Sequence, residues 1–239
     1  MIITYHRIRN EEKSCSIKKF EEQVKKAKEL NAILHFDDGL KDHYNILQIL
    51  KKYDMKGCFF IITNCFKEIA QAHKIWLLMN KSKKLIRDLN ISNKKKLEDR
   101  WYLYEDTNVA NLKYYLQTNK KILNNIFKDY FNEKEEIKKL YMSWDNIKEL
   151  YENGMVIGNH THTHPHLDKL SEKEQKFEIE ESTKILKNKI CKPKCFSYPQ
   201  GIYTKITERL LRENGYSWAT TSEKENLFKL RRTDTNEFT

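Results

Sequence analysis

The chain has 239 residues, 39% of them hydrophobic and 33% charged, with a formal net charge of +11. That length suits one large α/β domain or two small ones, with enough apolar residues to fill a core beneath a very polar surface. No stretch is long and apolar enough to cross a bilayer, which excludes a chain of membrane-spanning helices.

The basic excess has two readings. It could serve an anionic partner such as a nucleotide sugar, a lipid-linked diphosphate, a membrane surface or nucleic acid. A general Lys/Asn bias gives the same number, because Lys is interleaved with Glu and Asp throughout. The runs Lys81-Ser82-Lys83-Lys84 and Lys94-Lys95-Lys96 carry no aromatics and read as exposed helix ends or loops, which argues against nucleic acid. Cys15, Cys58, Cys65, Cys191 and Cys195 form no zinc-like double pair and leave one cysteine odd. Reduced thiols in a cytoplasmic protein are the simplest account. Met1 to Tyr5 enters a strand without the features of a leader peptide, which fits the same location and leaves peripheral membrane contact open.

Ile2 to Tyr5 reads as a strand ending at His6-Arg7. Ser16 follows as an N-cap for a helix over 17–30, with Phe20, Val24 and Ala27 on one face. The apolar run Ala32-Ile33-Leu34 is a second strand, ending in His35-Phe36-Asp37-Asp38-Gly39. Helical spacing over 43–53 precedes Cys58-Phe59-Phe60-Ile61-Ile62, a buried strand with Cys58 in the core. This alternation of strand and helix predicts a parallel sheet with helices outside it. Residues 64–142 contain no Gly or Pro, and their spacing predicts a helical insertion with one helix about Ile75–Met79 and another over 112–127.

The rhythm resumes with a helix through Trp144, Ile147 and Leu150, stopping at Asn153-Gly154. Next come a strand over 155–159, a capping box at Ser171 and Glu174 for a helix over 171–189, and the short strand Cys195–Pro199. A helix over 203–213 and strands at 217–221 and 227–230 complete about seven strands. The fold class is α/β, a distorted (β/α)7-type barrel, read as a single domain over 1–239. The candidate chemistry sits at strand C-terminal ends, where such barrels place their sites.

Asp37 and Asp38 can be a polar turn, since Asp-Gly is common turn chemistry, or a pair with separate tasks because side chains alternate along a strand. The histidines favour a site. Four of them fall within 160–166. His160 and His164, four apart, face the same way on a helical turn, whereas His160, His162 and His164 share a face if the segment is extended. Two imidazoles and a carboxylate leave an open position for water, as a hydrolytic metal site requires. His166, after Pro165, reads as structural or exposed.

Phe36-Asp37-Asp38-Gly39, His160-Thr161-His162-Thr163-His164 and Phe196-Ser197-Tyr198-Pro199-Gln200-Gly201 together resemble three motifs of the polysaccharide deacetylase (NodB-homology) family. The likeness runs from His6 to about Arg232 outside the insertion. It implies an N-deacetylase with Asp37 as general base, Asp38, His160 and His164 on one divalent metal (Zn2+ first, with Co2+, Ni2+ or Mn2+ as substitutes), and an oxyanion site at Tyr198 and Pro199. Tyr198 would supply a backbone N–H there. The late leucine-rich motif with its acid histidine has no counterpart, since 227–239 holds no histidine. Tyr5-His6 resembles the poly-N-acetylglucosamine deacetylase branch, which nominates His6 as the acid. The third motif has Ser197 in place of the usual arginine, so Arg231 or Arg232 is a candidate partner for Asp37, and Trp218 is either a wall of the sugar site or a core residue. The implied substrate is an N-acylated amino sugar, nucleotide-linked, lipid-linked or free. An N-deformylase and a non-catalytic carbohydrate-binding relative are the competing readings.

Overall fold

Short β-branched and aromatic runs become strands where both faces of the sheet are covered. Here they are β1 (Ile2–Tyr5), β2 (Ile33–Phe36), β3 (Gly57–Ile61), β4 (Val156–Asn159), β5 (Cys195–Ser197) and β6 (Trp218–Thr221), with two-residue strands β7 (Leu230–Arg231) and β8 (Thr233–Asp234). The structure is a computed structural model that describes residues 1–8, 15–81, 107–221, 230–231 and 233–234, with backbone alone for 107–111, 114, 231 and 234. Every strand pair is parallel, in the order β7-β6-β5-β4-β3-β2-β1-β8. Leu230 and Arg231 pair with β6, whereas Thr233 and Asp234 pair with β1. One stretch of chain therefore touches both outer strands, and the sheet curls round on itself as the distorted (β/α)7-type barrel that the sequence predicts.

The helices of this part of the chain are α1 (Ile17–Glu29), α2 (Lys41–Asn45) and α3 (Leu47–Lys52). The chain divides into two compact units, residues 1–66 with 138–239, and residues 67–137. The second holds α4 (Gln71–Lys81), α5 (Thr107–Thr118) and α6 (Lys120–Lys128), and α7 (Glu133–Leu140) runs across the division. The first resumes with α8 (Trp144–Glu152), α9 (Glu172–Lys189) and α10 (Lys205–Glu213).

Two helices expected to be continuous are broken. The helix expected over 43–53 is α2 and α3, separated at Ile46. The one expected over 112–127 is α5 and α6, separated at Asn119, whose side-chain amide donates to the Tyr115 carbonyl at 2.7 Å. Such a side-chain bond to the backbone competes with the helical ladder, and apolar spacing carried across a one-residue break does not reveal it. In the second unit Lys74, 1% exposed, reaches Glu133 Oε1 and Asn124 Oδ1 at 2.8 Å and Glu68 at 3.3 Å, so its buried charge is fully partnered.

In the first unit the strands turn alternate residues outward and inward. Outward go Ile3, Tyr5, Leu34, Phe36, Phe59, Ile61 and Ile157, which join Phe20, Val24 and Ala27 of α1, Leu47 and Leu50 of α3, and Ile147 and Leu150 of α8. Phe36 stacks on Phe59 at 4.5 Å between ring centres. Each such ring contributes about 1.5–3 kcal/mol on burial. Inward go Cys58, Phe60 and Cys195, with Trp218 packed against them and the His35 ring stacked on Trp218 at 5.6 Å. Gly158 makes room for this inner cluster: a Cβ there would lie 2.5 Å from Phe60 Cδ1 and 2.9 Å from Cys195 Sγ.

Candidate metal centre

The site lies where β1, β2, β4 and β5 run out at their C-terminal ends. Asp37 continues the sheet, its N–H donating to the Tyr5 carbonyl at 3.1 Å. Asp38 does not alternate to the opposite face, as a strand residue would. It adopts φ 76 and Gly39 φ 68, so the chain turns sharply. Non-glycine residues in this region are strained and concentrate at functional sites. The turn sends both carboxylates to one mouth: His160 Nε2 lies 4.0 Å from Asp37 Oδ2 and 3.4 Å from Asp38 Oδ1.

The histidine segment is neither a helical turn nor an extended strand. Thr161 (φ 66) and His164 (φ 61) both take the left-handed conformation. The Thr161 hydroxyl accepts the His164 N–H at 2.9 Å, closing a small loop that places the two outer imidazoles 4.9 Å apart. His162 is turned away, with its Nδ1 2.9 Å from the Thr63 hydroxyl and its ring edge-on to Phe177. His160 Nδ1 lies 2.7 Å from the Ser197 carbonyl. A carbonyl only accepts, so Nδ1 carries the proton and Nε2 keeps its lone pair for the site.

Ligand atoms of Asp38, His160 and His164 all lie within 4.8 Å of one another. Asp38 Oδ1 is 3.4 Å from His160 Nε2 and 3.6 Å from His164 Nε2. Ligands held tetrahedrally by bonds of about 2.0–2.1 Å are separated by about 3.3–3.4 Å. The two distances from Asp38 are close to such edges and exceed those of good hydrogen bonds. The electrostatics agree. Burial alone would depress the His160 pKa, but the charges of Asp37 and Asp38 and the Ser197 carbonyl outweigh it and hold the pKa above its ordinary value. Two buried carboxylates demand positive charge here, and the donor set fits a divalent cation.

His6, half-exposed at the end of β1, points its Nε2 at Asp37 Oδ2 from 3.8 Å. Sequence reasoning missed its support. His43 on α2 donates from Nε2 to the His6 carbonyl at 2.7 Å, and Arg7 pairs with Asp42 at 2.9 Å. The only signal was a histidine in a short amphipathic stretch. Burial holds the His43 pKa down at about 4, below its ordinary 6.5, although the His6 carbonyl pulls the other way. Between these values the unfolded chain binds a proton that the folded one refuses. This contribution to stability is complete above pH 6.5 and is lost as the pH falls towards 4. Between pH 7.5 and 4.5 the wild type should lose about 2–3 kcal/mol more than His43→Gln. Urea unfolding at the two pH values measures this, and equal losses would show that His43 is not the group responsible.

Ser197 takes the place opposite Asp37, its hydroxyl donating to Asp37 Oδ2 at 3.2 Å. Arg232 and the Arg231 side chain lie outside the described residues. The Tyr198 N–H donates to the Thr220 carbonyl at 3.2 Å, along the sheet. Pro199 is buried and opens the tight turn after β5. Trp218 is not at the mouth. It pairs with Cys195, two residues below Ser197, and packs on His35, two residues below Asp37, so it belongs to the barrel interior.

A polysaccharide deacetylase family model matches residues 24–219, which include all three motifs. The chain belongs to the polysaccharide deacetylase family. Solved structures of similar fold include the Streptococcus pyogenes deacetylase PplD in complex with acetate, 18% identical with a TM-score of 0.61 over 98% of this chain and 90% of that one. IcaB from Ammonifex degensii is 18% identical with a TM-score of 0.62, over 97% and 89%. BC0361, a polysaccharide deacetylase from Bacillus cereus, is 17% identical with a TM-score of 0.59, over 98% of this chain and 63% of that one. No curated protein matches the sequence. The family is one of hydrolases that remove acetyl groups from polysaccharide.

Proposed function

We propose that the protein is a metal-dependent N-deacetylase of an N-acetylated amino sugar, with Asp38, His160 and His164 holding one divalent cation, zinc first. The observation that carries this reading is the ligand triangle with Asp37 beside it and His6 beyond Asp37. A bound cation supplies Lewis-acid polarisation of water and of the amide carbonyl. Asp37, 1% exposed and steadied by Ser197, takes the proton as water oxygen adds to the acyl carbon. His6 donates to the departing nitrogen as the C–N bond breaks, so the products are acetate and the free amine. The oxyanion donor in this reading is a backbone N–H of the segment Tyr198 to Gln200, where the chain turns after β5. Gln200 follows at φ 56, and its two successors bond back to Tyr198 and Pro199.

The substrate in this reading is an amino sugar carried on a nucleotide or lipid, or free. Acetate release from a nucleotide-linked N-acetyl amino sugar and from N-acetylglucosamine oligosaccharides tests it, before and after chelation and zinc readdition. Release that stops on chelation and returns with zinc is expected. A zinc-loaded protein that frees no acetate from any of them overturns the reading. Formate from an N-formyl sugar, with no acetate, would identify the deformylase variant instead.

A further inference from the structure

The loop that carries His160 and His164 has two left-handed non-glycine residues within four positions, a conformation that costs about 1–2 kcal/mol per residue unless the surroundings impose it. What imposes it lies on α9. Glu178, 6% exposed, accepts the His162 N–H at 2.9 Å and the Thr163 N–H at 2.8 Å on one carboxylate oxygen. Its other oxygen accepts the Thr163 hydroxyl at 2.7 Å. One buried anion thus satisfies two successive backbone donors at the crown of the loop, midway between the two imidazoles.

The same helix holds the loop's entry. Asn159 accepts the Thr161 N–H at 2.8 Å on Oδ1, while its amide nitrogen donates to Ser182 at 2.7 Å and to Tyr216 at 2.6 Å. Ser182 in turn donates to the Glu178 carbonyl at 2.6 Å. Entry and crown are therefore fixed to neighbouring turns of one helix. Bonds to an ionised acceptor are roughly twice as strong as neutral ones, and three converge on Glu178.

We propose that Glu178 is a positioning residue of the metal centre, a carboxylate clamp that sets the spacing of His160 and His164 before a cation arrives. The proposal rests on the reading that these histidines, with Asp38, bind a metal. Glu178 touches neither substrate nor cation, and acts through the loop backbone. A clamp of this kind lowers the reorganisation needed on binding, so its loss appears as weaker metal affinity rather than altered substrate recognition.

The test is titration of chelator-stripped protein with Co2+, followed by its ligand-field absorption. Glu178→Ala is expected to weaken Co2+ binding about 10–100-fold and to change the spectrum, as loss of a supporting partner does elsewhere. Activity at saturating metal should largely recover, with KM for substrate unchanged. Glu178→Gln keeps the helix and the side-chain volume, and is expected to weaken binding several-fold. Wild-type affinity and spectrum in Glu178→Gln overturns the clamp, whether or not the alanine variant folds. A wild type that gives no ligand-field band overturns the metal reading itself, which separates the two failures.

Discussion

Asp37→Asn is expected to lower kcat by about 10²–10⁴-fold while leaving the metal bound, the range a positioned general base contributes. Asn matches Asp in size and still accepts from the Ser197 hydroxyl, now 3.2 Å from Asp37 Oδ2, so the mouth should keep its shape. What disappears is basicity. Asp37 stands 4.0 Å from His160 and 3.8 Å from His6, beside the ligand triangle rather than within it. Metal content and acetate release measured on one preparation separate the possibilities. Retained zinc with lost turnover supports the base. Zinc lost together with turnover would make Asp37 a ligand and move the base elsewhere. Full activity with zinc retained would remove Asp37 from the chemistry altogether.

His160→Ala should abolish metal binding and turnover together. In the proposed site His160 is one of three protein ligands, and its ring is fixed by the 2.7 Å bond to the Ser197 carbonyl, so no flexible neighbour replaces it. The affinity loss should exceed the roughly 100-fold that removal of a supporting hydrogen bond costs. Unlike the Glu178 variants, this one should not recover activity at any attainable metal concentration. The same Co2+ titration measures it, and an affinity close to wild type would dissolve the proposed ligand set.

The sequence carried much of this. Apolar runs and strand-helix alternation foretold β1 to β6, because a parallel sheet covered on both faces needs continuous apolar strands. The Asp pair and the spaced histidines were visible as residues. The means that unites them was not. Left-handed turns at Asp38, Thr161 and His164 bring the candidate ligands together, and neither helical nor extended spacing describes them. Short-range breaks at Ile46 and Asn119 were hidden because apolar spacing continues across them. Trp218 was left between sugar wall and core because an aromatic residue at a strand gives no hint of its depth along the barrel. Glu178 acts on backbone groups 15 and 16 residues away, and nothing in its own helix marks it out from neighbouring glutamates. Ser197 was legible as a departure from the family pattern, but its contact with Asp37 spans 160 residues.

The way the sheet closes bears on how the protein comes to be made. Ile3 and Thr4 find their second neighbours only at Thr233 and Asp234. Of the described strands β1 is made before the others, and the edge that meets β8 waits until the residues between them have followed. An uncapped edge of this kind is a template for pairing with other chains, and contacts so distant in sequence form slowly. A chain that stops before residue 233 thus has a barrel with an open seam along β1, exposed to aggregation.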